Sequence, residues 1–214
     1  MRKVFVSNLL MAPIEKVKFV SNDFQFPQDK EYSYAFTYIV DLHVEEGDSV
    51  AVITCLTDIE DERRRTTQEK NYQIFKEEIG DLLKARNAKV EFIEIYYKNV
   101  SQEEDSMVLN RFFKKIVKLV KSGDRLYLDV TFGFKSYTIA TFLALTYAAR
   151  ITKNVTFELA VYSERFDGSD GEKKVTTTYN LTSLFYLSEI ASKISGIAQG
   201  SADKLLDFII PDKD

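Results

Sequence analysis

Apolar positions along this chain alternate between two spacings. Runs of strand length occur at Lys3–Asn8, Ser49–Thr54, Lys89–Tyr96 and Leu126–Val130. Between them, apolar residues recur every three or four positions. Tyr32, Ala35, Phe36, Ile39 and Val40 form one such set, closed by Gly47-Asp48. Tyr72, Phe75, Ile79, Leu82 and Leu83 form the next, within a helix predicted over Thr67–Arg86. A third set, Val108, Leu109, Phe112, Phe113, Ile116, Val117 and Val120, keeps Lys114, Lys115, Lys118 and Lys121 outside. Acidic Glu103–Asp105 suits the positive start of that third helix. A nearly uncharged fourth helix is predicted over Tyr137–Ile151. Strands alternating with helices four times imply an α/β fold: a Rossmann-like, doubly wound, mainly parallel sheet with right-handed crossovers.

The rest of the chain completes this plan. Val155–Tyr162 reads as a fifth strand. After a Gly/Asp turn at Asp167–Gly171, Lys174–Tyr179 returns against it as an antiparallel edge strand. The expected strand order is 3-2-1-4-5 with that edge added. Met11–Lys30, with Pro13 and Pro27, reads as a long loop with room for a hairpin, and Leu56–Arg65 as a charged loop. Leu184–Ile197 is a predicted helix broken at Gly200, and Lys204–Ile210 a short terminal helix stopped by Pro211. The domain division is 1–195 for the α/β unit and 196–214 for a helical tail.

The chain is organised around residues 126–149. An apolar strand runs into Thr131-Phe132-Gly133-Phe134-Lys135-Ser136, and then into the uncharged helix. Strand, glycine-bearing turn and helix in that order present free backbone N–H groups and a helix dipole to an anion. Gly133 permits close approach, Thr131 and Ser136 supply hydroxyls, and Lys135 adds charge. The same residues also suit a plain capped βα turn. Topology favours the first reading over the second: in a 3-2-1-4-5 sheet, ligands bind at the carboxyl ends where strands one and four diverge. That places Ser7 and Asn8 beside Thr131–Ser136.

Composition narrows the chemistry. The formal net charge is −4, so no duplex-wrapping basic surface is expected. A single cysteine and no evident leader read as a soluble, cytoplasmic protein, and no stretch suits a membrane span. The first strand lacks a G-x-G-x-x-G turn, and Gly133-Phe-Lys-Ser lacks the upstream glycine of a P-loop, so no nucleotide cofactor is expected. One His and one Cys leave no thiolate or imidazole metal site within a subunit. Glu60, Asp61 and Glu62 read as a solvated loop, His43 as a helix-end residue and Cys55 as packing. Arg63–Arg65, the densest basic run, reads either as a loop paired with those acids or as a basic loop reaching a phosphate ligand through Arg64.

Asp129-Val-Thr-Phe-Gly-Phe-Lys-Ser, D-x-T-x-G-x-K-S, resembles the ligand-loop motif of CARF domains, the CRISPR-associated Rossmann folds of type III systems. Phe132 stands where members often carry His, and Lys135 where Arg is frequent. The resemblance implies a cyclic oligoadenylate ligand, with tetra-adenylate favoured, made by the polymerase subunit of a type III interference complex. It also implies a homodimer paired through the fourth helix, with one pocket on the two-fold axis. Lys135 and loop N–H groups would hold phosphates. Thr131, Ser7 and Asn8 would meet ribose or phosphate, and Phe132 or Phe134 adenine. Three outputs follow as expectations. The first is a metal-independent ring nuclease, with Lys135, Ser7 and Ser136 as catalytic candidates. The second is a sensor acting through a partner or an effector domain. The third is an unrelated Rossmann-like nucleotide-binding protein.

Overall fold

The computed structural model describes residues 1–9, 11–98, 107–166, 175–193 and 199–209. In chain order the elements are β1 (Arg2–Asn8), β2 (Phe19–Val20), α1 (Ala35–His43), β3 (Ser49–Asp58), α2 (Glu62–Ala85) and β4 (Lys89–Lys98). There follow α3 (Met107–Leu119), β5 (Arg125–Asp129), α4 (Lys135–Ile151), β6 (Thr156–Phe166) and β7 (Val175–Asn180), then α5 (Thr182–Lys193) and α6 (Gln199–Ile209). The strands form one sheet in the order β2-β7-β6-β5-β1-β3-β4. All pairs are parallel except β6 with β7. The fold is therefore the Rossmann-like α/β sheet read from the sequence, with its antiparallel strand at the expected end.

The central strand β1 is buried from Lys3 to Asn8, and β5 from Leu126 to Asp129. Flanked by strands on both sides and by helices on both faces, they need apolar side chains pointing each way, which is why they read as continuous runs. On one face Phe5, Val50, Val52 and Tyr127 pack with Phe36, Ile39 and Val40 of α1 and with Phe75, Ile79 and Leu83 of α2. Phe5 stacks on Tyr127 at 4.5 Å between ring centroids. Elsewhere α3 packs along α4, with Phe112 edge-on to Tyr137 at 4.9 Å.

Several local expectations shift. Arg63–Arg65 lies within the start of α2 and not on a loop. Asp61 caps that helix, accepting a hydrogen bond from the Arg64 N–H at 2.8 Å. α4 begins at Lys135, so Lys135 and Ser136 are first-turn helical residues. The stretch after β1 contains β2, which pairs with β7 at the sheet edge, and an isolated antiparallel bridge, Val17 with Tyr32. Gly200 lies in the first turn of α6, and residues 194–198 before it lie outside the described residues. The acidic run 103–105 and the turn at 167–171 lie outside the described residues. Two compact units divide the chain, Met1–Leu181 and Thr182–Asp214. The first contains the sheet and every residue of the candidate site, and the second contains α5 and α6.

Candidate functional site

Parallel pairing sets Ser7 of β1 opposite Asp129 of β5. Both lie at the carboxyl end of the sheet, where the chain leaves the two strands in different directions. Asp129 is fully enclosed. One carboxylate oxygen accepts the Thr131 N–H at 2.9 Å, and the other accepts the Ser7 hydroxyl at 3.3 Å. Burial pushes its carboxyl up to about 6, and the hydrogen bonds from Thr131 and Ser7 hold that rise back. The carboxylate thus ties the end of β1 to the turn after β5. Thr131 is also anchored from the other side, since its hydroxyl accepts the Ser163 N–H of β6 at 2.9 Å.

Gly133 adopts φ = +94°, a conformation that side chains rarely take. The reason for glycine is also steric: a Cβ there would lie 2.7 Å from the Cβ of Asn8. Asn8 is wholly buried, and neither Oδ1 nor Nδ2 has a hydrogen-bond partner among the described residues. Such an amide is costly to leave unsatisfied, by about 1–3 kcal/mol.

The turn then enters α4 through Phe134, whose extended backbone and apolar side chain supply no cap. No acidic residue occupies the first turn, and Lys135, exposed, is its first residue. A lysine at the positive end of a helix dipole is locally unfavourable unless an anion joins it. Ser136 follows, partly exposed.

The turn separates two cavities. One, of about 210 Å³, is lined by Asp129, Thr131 and Phe132 together with Ser163, Glu164 and Glu15. Phe132 packs edge-on to buried Tyr34 at 5.9 Å, so much of its ring is committed to the core. The other, of about 120 Å³, is lined by Phe134, Arg64, Thr57, Asp58 and Asp61. Arg64 therefore reaches the neighbourhood of the turn from the start of α2, on the side facing Phe134.

Ser7, Asn8, Thr131, Phe132, Gly133, Phe134, Lys135 and Ser136 are thus gathered at one edge, with Arg64 beside them. Ser7 is enclosed and its hydroxyl is engaged by Asp129 and by the Asn8 carbonyl. Asp129 was not singled out as a site residue, although a carboxylate ending an apolar strand is a signal of a buried polar role. His43 ends α1 beside Tyr127, its carbonyl accepting the Lys3 ammonium at 2.7 Å near the start of β1, away from this edge. Burial and then Lys3 lower its pKa. Cys55 is fully enclosed, and burial pushes its thiol up to about 12.

A family model described as the CARF domain of the CRISPR system endoribonuclease Csx1 matches residues 9–165. The chain belongs to this family. The match begins just after β1 and runs into β6, and so takes in the turn, α4 and every described helix of the sheet unit, while Ser7 and Asn8 precede it. No curated protein matches the chain. Membership makes this a CARF domain of type III CRISPR systems, as the D-x-T-x-G-x-K-S turn implies. Among the described residues, no helix of the CARF protein is long and apolar enough to cross a membrane.

Proposed function

We propose that the CARF domain binds a cyclic oligoadenylate, tetra-adenylate by preference, at the carboxyl edge between β1 and β5, as a cytoplasmic sensor of type III CRISPR signalling. The observation that carries this reading is the start of α4, which has no cap and no acid yet begins with Lys135. A phosphate seated there meets first-turn N–H groups and an ammonium together. The enclosed, unpartnered Asn8 amide, next to the turn at Gly133, adds a donor and an acceptor that a small movement of the turn brings to the ligand. Arg64 and Phe134 extend the site on one side, and Thr131 and Phe132 on the other.

The working form is a homodimer. Ile139, Leu143, Tyr147 and Ile151 are 61%, 51%, 46% and 58% exposed, and they recur every four residues along α4. They make an apolar stripe that begins one turn from Lys135. Pairing two stripes about a two-fold axis brings the two turns together, and a rotationally symmetric ring meets the same residues from each half.

Cleavage of the ring is the second reading, favoured by the position of Lys135 and Ser136 at the solvent side of the turn. A ribose 2′-OH attacks its adjacent phosphorus and gives its proton to water, the 5′-oxygen leaves and takes a proton from water, and a 2′,3′-cyclic phosphate remains. Lys135 and the N–H groups stabilise the added negative charge, and Ser136 orients the ribose. Ser7, held by Asp129, acts by positioning β1. The reaction uses no metal ion, and its lack of a general base makes it slow. Incubation with cyclic tetra- and hexa-adenylate in EDTA, followed by chromatography, tests both readings. Binding with an intact ring establishes a sensor. Linear products that Lys135→Ala suppresses at saturating ligand establish a ring nuclease. Absence of binding to either ring refutes the proposal.

A further inference from the structure

A ribose needs hydroxyl or carboxylate partners, and two hydroxyls at this edge are already engaged. Ser7 donates to Asp129 and to the Asn8 carbonyl, and the Thr131 oxygen accepts the Ser163 N–H. A third hydroxyl, that of Thr57 near the end of β3, is enclosed and has no hydrogen-bond partner among the described residues. The backbone beneath it is held in place. In the orientation that satisfies both groups, the buried Gln68 amide of α2 donates to the Thr57 carbonyl at 2.9 Å and accepts its N–H at 3.0 Å. Parallel pairing sets Thr57 opposite Tyr97 of β4, whose hydroxyl faces Thr57 and the Phe134 N–H and is likewise enclosed and unpartnered. An enclosed hydroxyl left without a partner costs more than an apolar side chain of the same shape. Thr57 also lines the cavity of about 120 Å³ beside Phe134, where three carboxylates, Asp58, Glu60 and Asp61, stand against one cation, Arg64.

We infer that this cavity holds a ribose of the ring and that Thr57 recognises its 2′-hydroxyl. The inference rests on the reading that a cyclic oligoadenylate binds at this edge. Three carboxylates against one guanidinium repel a phosphate but accept from O–H donors. A 2′-hydroxyl both accepts and donates, so it meets the Thr57 O–H and one of these carboxylates at once. The size agrees, because the cavity lies well below those that hold a whole nucleotide and suits a single sugar. Connectivity agrees as well. Phe134 lines the cavity and directly precedes Lys135, and each ribose of the ring is bonded to the phosphates on either side of it. A phosphate at the first turn of α4 therefore leaves a neighbouring sugar within reach of Thr57. A ring of four offers each subunit two riboses, so Thr57 and Ser136 meet different ones. A site that hydrogen-bonds a hydroxyl discriminates against the analogue lacking it, and the 2′-hydroxyl is what separates RNA from DNA. Thr57 is thus a specificity-determining residue for a ribonucleotide ring over its deoxyribonucleotide counterpart.

Calorimetric titration of the full chain with cyclic tetra-adenylate and with its all-2′-deoxy counterpart tests the assignment. Wild type should prefer the ribo ring by at least about 10-fold. Thr57→Val should weaken the ribo ring by about 10-fold, since one hydrogen bond is lost in each subunit, and should leave the deoxy ring unchanged. Thr57→Ser, which keeps the hydroxyl, should retain the ribo preference. In the absence of ligand, Thr57→Val should melt no lower than wild type, because the hydroxyl it removes has no partner to lose. Equal weakening of both rings by Thr57→Val would place a base or a phosphate at Thr57 and overturn the assignment. So would a Thr57→Val that melts lower yet binds both rings as wild type does, which would show the hydroxyl serving the fold alone. Wild type that binds neither ring refutes the ligand itself, and the assignment with it; wild-type binding with the ribo preference intact in Thr57→Val overturns the assignment alone.

Discussion

Replacing Gly133 by alanine probes the contact on which the crevice depends. The new Cβ would stand 2.7 Å from Asn8 Cβ and 3.0 Å from its Cγ. Asn8 cannot retreat easily, because β1 is held between β3 and β5 in the middle of the sheet. Two effects therefore add. A side chain at positive φ costs about 1–2 kcal/mol, and overpacking a rigid site about 1–3 kcal/mol. Gly123 isolates the first of these, since its φ is +82° but a Cβ there meets nothing within 4 Å. Gly123→Ala should then lower the melting temperature by about 2–8 °C, and Gly133→Ala by about 4–20 °C, at 2–4 °C per kcal/mol for a domain of this size. Calorimetric melting of both variants measures the difference. A second comparison is sharper. Adding Asn8→Gly to Gly133→Ala removes the atom in closest contact, so the pair should be less destabilising than the sum of the single changes. Gly133→Ala melting no lower than Gly123→Ala, together with additive behaviour of the pair, would show that the turn does not rest on Asn8.

Other outcomes follow from the same geometry. Lys135→Ala should weaken cyclic tetra-adenylate binding by at least about 10–100-fold, the worth of one charge-assisted phosphate contact, because the change removes that contact from both subunits. Arg64→Ala should cost less, because that side chain reaches the site from its flank; calorimetric affinities for both variants decide the ranking. Leu143→Glu puts a charge in the exposed α4 stripe and should leave a monomer by light scattering with its melting temperature little changed; a persistent dimer would place the interface elsewhere. Asp129 has a folded pKa of about 6, above the ordinary 3.8. Its contribution to stability is therefore fully present below the ordinary value and is lost as pH rises through about 6. Asp129→Asn should remove this loss, so urea denaturation from pH 4 to pH 7 should show wild type falling relative to the variant; parallel curves would contradict the enclosed, hydrogen-bonded carboxylate.

Much of the site was legible because its parts lie close together in the chain. Thr131 to Ser136 is one turn, and the apolar strand and uncharged helix around it declare their types by periodicity alone. The approach of Ser7 and Asn8 was legible at one remove, through the strand order that alternating elements imply. The basic run Arg63–Arg65 was harder. A charged helix start without apolar periodicity looks like a loop until the Asp61 cap is seen. The two-residue strand β2 was not legible, because its place depends on pairing with β7, about 155 residues later, and not on any pattern of its own.

Sequence alone determined the kind and order of the main elements, the parallel α/β sheet, the glycine-bearing turn at its carboxyl edge and the CARF resemblance. These depend on local backbone preference and on the match between apolar spacing and secondary structure. Tertiary structure decided which polar groups meet. It enclosed Asp129 between Ser7 and Thr131, set Asn8 against Gly133 with its amide unpartnered, turned Phe132 toward Tyr34, and left one stripe of an apolar helix exposed. Those outcomes depend on packing between residues far apart in the chain, where side chains compete for the same space, and no local pattern records which of them prevails.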